Sequence, residues 1–230
     1  MRRNLGAYEA SQVFLNYPFD DEFGRLSEAL AFAVIAGGLV PVSARDLSSP
    51  DKPRLPMLVE AIRSCRYSVH DLSRCGGEGE ENLARMNMPL EMGMAMYHAL
   101  STQHEHHRCT FLVGTPHMYQ RFASDLAGLD PRCHNNDEKQ ALKAVYDWLR
   151  DLVPPMLFSV QATAHVVEKY DVFSERRSRL EGGGPEGEPT YDEVREVMYQ
   201  VCSECGWWDW RTNRHGKEEF PETPLAWQRA

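Results

Sequence analysis

Short apolar runs alternate with helical patterns through the first two-thirds of the chain, and this alternation limits the fold more than any other feature. Four of the runs have the length and composition of buried strands: 12–17, 39–42, 66–72 and 109–114. A fifth candidate strand runs from Met156 to Val160. Strands that alternate with helices in this way predict a parallel sheet with helices packed on its faces.

The helices between these strands carry recognisable boundary signals. Asp20-Asp21-Glu22 opens the first helix, and Gly37-Gly38 ends it. A later helix is predicted from Pro89 to about Leu100, with the proline at its first position, where a missing N–H has no partner in any case. Pro154-Pro155 ends the last helix of the alternating region.

The last third of the chain differs in composition. Residues 181–189 are rich in Gly, Glu and Pro, which predicts a flexible linker. Thr190 to Glu193 form a capping box that begins an amphipathic helix, and a tail rich in tryptophan follows Cys205. We therefore predict an α/β domain over residues 1–160 and a C-terminal extension, partly helical and partly irregular, over 161–230.

Composition narrows the function classes. The formal net charge of −9 argues against nucleic acid or an anionic membrane as the main partner. No stretch of the sequence is long and apolar enough to span a bilayer, and Met1 to Leu5 lack the apolar core of a secretory signal. The 6 cysteines are scattered, as expected of reduced thiols. We therefore expect a cytoplasmic protein.

Two segments carry ligand types that suit metals, and neither has a complete set. The run from His104 to His107 lacks the spacing of a zinc motif on one helix face. Cys202 and Cys205 are half of a zinc ribbon whose second cysteine pair is missing, although a distant ligand such as His215 would complete a site. We predict no metal, and the cysteine pair stays an open question.

Polar residues follow the predicted strands at the points where each strand ends. In a doubly wound sheet the carboxyl ends of the strands meet at one edge, where ligands bind. The candidate substrate-binding residues at this edge are Asn16, Tyr17, Asp20, Asp21, Arg45, Asp46, Ser73 and Asn87. Arg45 is suited to bidentate phosphate binding. Asp20 or Asp21 either binds ribose hydroxyls or caps the following helix.

The order of these motifs resembles TIR domains, which have a flavodoxin-like doubly wound parallel sheet. Phe14-Leu15-Asn16-Tyr17, followed by acidic residues, resembles the first TIR box, and Arg45-Asp46 resembles the Arg-Asp after the second TIR strand. The run Ala61 to Arg66 and then Leu72-Ser73 resembles the TIR sequence through the second helix into the third strand. Glu91-Met92 falls where enzymatic TIR domains place their catalytic glutamate. The resemblance covers about residues 11–115.

Other features are closer to nucleoside 2-deoxyribosyltransferases, which belong to the same superfamily. These are His70-Asp71-Leu72-Ser73, then Asn87, then Glu91-x-Gly93-x-Ala95. The loop between Ser73 and Glu91 is also longer than in a usual TIR domain. The resemblance therefore implies the superfamily and leaves its two branches open.

Both branches cleave an N-glycosidic bond, and this chemistry suits Glu91. A carboxylate stabilises or captures the oxocarbenium-like transition state. In the first turn of its helix, Glu91 would be kept ionised by the helix dipole, or it would be a capping-box residue that reaches back to Met88. A nicotinamide leaves without acid assistance, whereas a neutral base needs a second acid, for which Asp71 or Asp46 is the candidate.

The resemblance implies that NAD or a related nucleotide is the substrate, and that no separate cofactor is needed. It also implies self-association and, in bacteria, a role in antiphage defence. Two alternatives stay open. One is a nucleoside deoxyribosyltransferase or nucleotide N-glycosidase, and the other is a non-catalytic module that binds a nucleotide or another TIR-like domain.

Overall fold

The computed structural model describes residues 11–20, 23–47, 53–75, 77–78, 83–84, 86–155, 157–180 and 187–207. Asp21, most of the predicted linker and the tryptophan-rich tail after Trp207 lie outside these residues. No described helix is both long enough and apolar enough to cross a membrane.

Five parallel strands form the main sheet, in the spatial order β2-β1-β3-β6-β7. Their bounds are β1 Gln12–Asn16, β2 Val40–Ser43, β3 Tyr67–Asp71, β6 Arg108–Val113 and β7 Arg132–Cys133. A small antiparallel hairpin of β4 Gly77–Glu78 and β5 Leu83–Ala84 follows β3. The strand order reverses between β1 and β3, which is where doubly wound sheets bind their ligands. The predicted flavodoxin-like α/β fold is confirmed.

Six helices surround the sheet: α1 Gly24–Ala36, α2 Arg54–Ser64, α3 Asn87–Ser101, α4 Glu138–Leu152, α5 Thr163–Arg177 and α6 Tyr191–Glu204. Helices α2 and α3 cover one face, and α1 and α4 cover the other. Every residue of α1 from Leu26 to Ala36 is buried, because α5 and α6 pack on its outer side. A helix that is apolar all round needs such cover.

The two C-terminal helices belong to the same buried cluster as α1. Their buried residues in this cluster are Val166, Tyr170, Phe173, Val194, Val197, Met198, Val201 and Cys202. The predicted capping box is present at the start of α6, where the Thr190 hydroxyl accepts from Glu193 N–H and the Glu193 carboxylate accepts from Thr190 N–H. This cap satisfies backbone donors that would otherwise be unpaired.

The predicted fifth strand is wrong. Residues 157–160 form no strand, and the fifth strand of the sheet is β7, Arg132–Cys133. The apolar character of the segment comes from packing behind α1, where Phe158 is buried and Ser159 N–H donates to Gly37 O at 2.8 Å. A buried loop and a buried strand give the same apolar run in a sequence.

Candidate functional site

Glu91 is buried at the carboxyl edge of the sheet, with 5% of the residue exposed. Its Oε2 atom is buried and has no hydrogen-bond partner among the described residues. Burial raises the pKa of the Glu91 carboxyl to about 7, and the nearby positive charge of Arg54 offsets only part of this effect. A titratable group that is buried and incompletely paired in a ligand-binding region is a candidate for chemistry.

Two expectations about Glu91 need correction. Helix α3 begins at Asn87, so Glu91 is its fifth residue and lies past the first turn, where the helix dipole has most of its effect. The capping-box alternative is also wrong, because the cap of α3 is Met86 and no side chain bonds to the free N–H groups there. Pro89 is the third residue of α3, and its missing N–H costs no helical bond there.

A chain of buried hydrogen bonds fixes α3 against the sheet. Asn16 Nδ2 donates to Met88 O at 3.0 Å and lies 2.9 Å from His70 Nδ1. His70 Nε2 lies 2.9 Å from Ser68 Oγ, which lies 2.8 Å from His107 Nε2. His107 Nδ1 lies 2.8 Å from the carbonyl oxygen of Cys65. Asn16 therefore holds α3 in place, and its amide nitrogen is fully used.

The chemistry of the partners sets the direction of each hydrogen bond in this chain. A carbonyl only accepts, so His107 donates from Nδ1 and its Nε2 accepts from Ser68. The Ser68 oxygen then accepts from His70 Nε2–H, and His70 Nδ1 accepts from Asn16. Burial lowers the pKa of His70 to about 3 and that of His107 to about 4. Both rings are therefore neutral, and His70 is a buried member of this hydrogen-bonded chain.

Asp71 lies on the opposite face of the sheet from Glu91. Alternation along β3 places it with Val69 on the α1 side, whereas α3 covers the other face. Its Oδ2 lies 2.9 Å from His134 Nε2, and its Oδ1 accepts from Ser73 N–H at 2.8 Å. Ser73 Oγ lies 3.0 Å from the same histidine nitrogen. The structure therefore brings Asp71 together with Ser73 and does not join it to Glu91.

His134 is a buried residue that sequence reasoning missed. It follows β7, and its Nδ1 accepts from Asn136 N–H at 3.1 Å, so its Nε2 carries the proton that Asp71 accepts. Asp71 and Ser73 share this single nitrogen, which differs from a catalytic triad, where base and nucleophile use different ring nitrogens. The cluster of Asp71, Ser73 and His134 lies at the carboxyl ends of β3, β6 and β7 and joins these strands by hydrogen bonds.

Asp46 is bound by the C-terminal helix, and Tyr17 lies beside Arg45 at the same edge of the sheet. Asp46 Oδ2 accepts from Ser43 N–H at 2.8 Å, and Arg195 of α6 donates to its Oδ1 at 3.3 Å. Desolvation raises the pKa of the Asp46 carboxyl. Tyr17 is buried, which raises the pKa of its phenol, and its ring lies close to Arg45. No local pattern in the sequence predicts that α6 reaches this edge.

Arg45 and Arg54 share one exposed ring. The guanidinium carbon of Arg45 is 5.1 Å from the centre of Phe19, and that of Arg54 is 5.9 Å from the same centre. Both arginines are exposed, and neither guanidinium donates a hydrogen bond to a described residue. Arg45 was expected at the site, whereas Phe19 and Arg54 were not. Neither lies in a recognisable motif, so only the fold shows their position.

Other candidates have simpler roles. Asp20 Oδ1 accepts from Phe23 N–H at 2.8 Å and lies 3.9 Å from Arg74 Nη2, so it caps the turn into α1. Asn87 is exposed at the start of α3.

Among the described residues no three His, Cys, Asp or Glu side chains are grouped so that they could hold a metal ion. Cys202 is instead buried in the apolar face of α6, and burial raises its pKa.

The chain was also compared with known proteins. No protein-family model matches it, and no curated protein does either.

Proposed function

We propose that this chain is an enzyme that cleaves the N-glycosidic bond of NAD or a related nucleotide, with Glu91 as its catalytic carboxylate. The observation that carries the proposal is the Oε2 atom of Glu91, which is buried at the carboxyl edge of the sheet without a described partner. Leaving a buried polar atom unpaired destabilises a fold, and proteins retain such groups mainly where they have a role. The TIR-like order of motifs around Glu91 supports the same proposal.

The chemistry needs one carboxyl group that works near neutral pH. As the bond between C1′ and the nicotinamide nitrogen breaks, its electron pair moves to the nitrogen and neutralises the leaving group. The Glu91 carboxylate stabilises the positive charge that develops on the ribose. Water then attacks C1′, and its proton passes to Glu91 and on to solvent. With its pKa raised to about 7, Glu91 is suited to accept this proton.

The other carboxylates of the edge support NAD rather than a neutral nucleoside. A neutral base needs a second acid to leave, and the candidates were Asp71 and Asp46. Asp71 bonds to His134 and Ser73 on the opposite face, and Asp46 bonds to Arg195 and Ser43 N–H. A substrate whose leaving group is already cationic does not need them. Self-association and a role in antiphage defence stay predictions from the resemblance.

The test is NAD consumption by the wild-type chain and by Glu91→Gln, with products separated by chromatography. We expect nicotinamide release to fall by about 10²–10³-fold or more in the variant. Glu60→Gln, which changes an exposed glutamate on α2, is the matched control and should keep full activity. Thermal melts of both variants show whether the fold is intact.

A panel of deoxynucleosides is run in parallel. Base release or exchange from these compounds, without NAD consumption, would move the protein to the deoxyribosyltransferase branch. Equal NAD turnover by wild type and Glu91→Gln would reject Glu91 as the catalytic carboxylate.

A further inference from the structure

The arginines at the carboxyl edge of the sheet fall into two groups. Arg74 faces Asp20, with 3.9 Å between Nη2 and Oδ1, and Arg195 donates to Asp46 at 3.3 Å and to Asp192 at 2.9 Å. Arg45 and Arg54 differ, because no described carboxylate lies within ion-pair distance of either guanidinium. They are neighbouring positive charges in a chain whose formal net charge is −9.

Aromatic rings hold these two side chains in place. Phe19 is 40% exposed and packs edge-on against the buried ring of Tyr17, with 5.3 Å between ring centres. The guanidinium groups of Arg45 and Arg54 both lie near its ring, and Arg45 also lies 5.8 Å from the ring centre of Tyr191. A guanidinium that contacts a ring through its face keeps its N–H edges free for an acceptor.

The pair lies beside the proposed catalytic group. Arg54 is the first residue of α2, and its charge acts on the Glu91 carboxyl. Arg45 follows β2, and Phe19 follows β1, so the three side chains meet at the edge where Glu91 is buried. An anion bound here would therefore lie at the same edge of the sheet as Glu91.

We propose that Arg45, Phe19 and Arg54 form a phosphate-binding subsite, in which the two guanidinium groups bind the diphosphate of a nucleotide and Phe19 holds them in position. This proposal rests on the proposed function for the placement of the glycosidic bond at Glu91. Arginine binds phosphate oxygens through paired N–H groups, and a diphosphate supplies enough oxygens for two such contacts. The subsite selects nucleotides over nucleosides that carry the same glycosidic bond.

The test measures binding separately from turnover. Isothermal titration calorimetry is run on Glu91→Gln, so that bound NAD is not consumed, with NAD, nicotinamide riboside and inorganic pyrophosphate as probes. We expect NAD to bind at least about tenfold more tightly than the riboside, which lacks the diphosphate. When Arg45→Gln or Arg54→Gln is added, the affinity for NAD and for pyrophosphate should fall by about tenfold in each variant. The affinity for the riboside should stay unchanged.

Arg63→Gln is the matched control, since it changes an exposed arginine at the other end of α2. It should bind all three probes as the parent does. The subsite is rejected if the riboside binds as tightly as NAD, if both arginine variants bind NAD as Arg63→Gln does, or if no probe binds. If NAD binds through the arginines but the wild-type chain releases no nicotinamide, the subsite stands and the proposed enzyme falls.

Discussion

Two buried polar regions lie on the α3 side of the sheet, and they differ in how far their hydrogen-bonding groups are used. In the chain from Asn16 to His107, each ring nitrogen and the Ser68 hydroxyl have a partner between 2.8 and 2.9 Å away. Glu91 lies on α3 three residues after Met88, which accepts a bond from this chain, and its Oε2 has no partner among the described residues. Burial acts on both regions, and it keeps the histidines neutral while it holds back ionisation of the glutamate.

The difference in pairing indicates which region supports the fold and which has a group left to bind a ligand. A fully paired network leaves no group to bind a ligand, and it specifies one arrangement of the elements that it joins. Here it joins β1, β3 and α3, because Asn16 Nδ2 donates to Met88 O. Met88 precedes Glu91 by one helical turn, so the paired network sets where the unpaired carboxyl lies. The histidines act through position, whereas the proposed function assigns to Glu91 the contact with the substrate.

The largest expected effect is a loss of stability in mild acid. His70 and His107 have pKa values lowered from 6.5 to about 3 and about 4, so the unfolded chain binds more protons than the fold does. Their stabilising contribution is complete above pH 6.5 and is lost as the pH falls towards 4. Each histidine costs about 1.4 kcal/mol per pH unit, or roughly 4 kcal/mol together by pH 5. Urea denaturation of Glu91→Gln at pH 7, 6 and 5 measures this loss, because the raised pKa of the wild-type carboxyl would offset part of it.

The control for this experiment is His165→Gln, because the side chain of His165 is 48% exposed. That variant should lose as much stability in acid as the wild type. A stability that stays flat between pH 6.5 and 5 would show that the two buried rings are protonated in the fold.

Ser68→Ala tests the paired network directly. Removal of the hydroxyl leaves His70 Nε2–H without its acceptor and His107 Nε2 without its donor, and both residues are fully buried. We expect a loss of about 2–4 kcal/mol in the free energy of unfolding at pH 7. Ser101→Ala, at an exposed serine that bonds only to His98 O, should cost less than about 0.5 kcal/mol. Equal losses in the two variants would mean that water replaces the Ser68 hydroxyl.

The strands that form strong apolar runs were predicted from the sequence, and the strand without an apolar run was missed. β1, β2, β3 and β6 were all found, because strands buried on both faces read as continuous apolar runs. β7 consists of Arg132 and Cys133 at the edge of the sheet, and two residues of this composition give no pattern. The segment 157–160 gave a pattern without a strand, because its apolar residues pack behind α1.

For the site, the sequence predicted the edge but not the grouping of side chains. Asn16, Arg45, Asp71 and Ser73 all lie at the carboxyl ends of their strands, as the fold requires. Side chains along β3 alternate between the two faces of the sheet, and this places Asp71 on the face opposite Glu91. The sequence had suggested that these two carboxyl groups act together. The groups that complete the edge come from distant segments: His134 bonds to Asp71 from 63 residues away, and Arg195 bonds to Asp46 from 149 residues away. Contacts across such separations depend on tertiary packing, which no local pattern contains.

Glu91→Gln should show the opposite pH dependence to the histidines. The pKa of Glu91 is raised from 4.5 to about 7, so its stabilising contribution is complete below pH 4.5 and is lost as the pH rises through 7. The amide stays neutral, so the variant should match the wild type in acid and exceed it by about 3 kcal/mol at pH 8. Urea denaturation of both chains at pH 5 and pH 8 measures the difference, and Glu60→Gln should show none. A variant that is less stable than the wild type at pH 8 would show that the Glu91 carboxylate is already well paired.

The smallest expected effect concerns Arg195. Its ion pair with Asp46 is partly exposed, unlike the two buried regions. Arg195→Gln should cost less than about 1 kcal/mol of stability, because solvent screens such a pair and the Asp46 carboxylate keeps its bond to Ser43 N–H. The substitution should also weaken binding, since Tyr191 at the start of α6 lies beside the Arg45 guanidinium. We expect NAD affinity in the Glu91→Gln background to fall by about 2–5-fold, which corresponds to less than ~1 kcal/mol. Arg176→Gln breaks the ion pair with Glu204 at the other end of α6 and should leave affinity unchanged. If Arg195→Gln destabilises the fold more than Ser68→Ala does, the surface pair rather than the buried network is the main polar support of this edge.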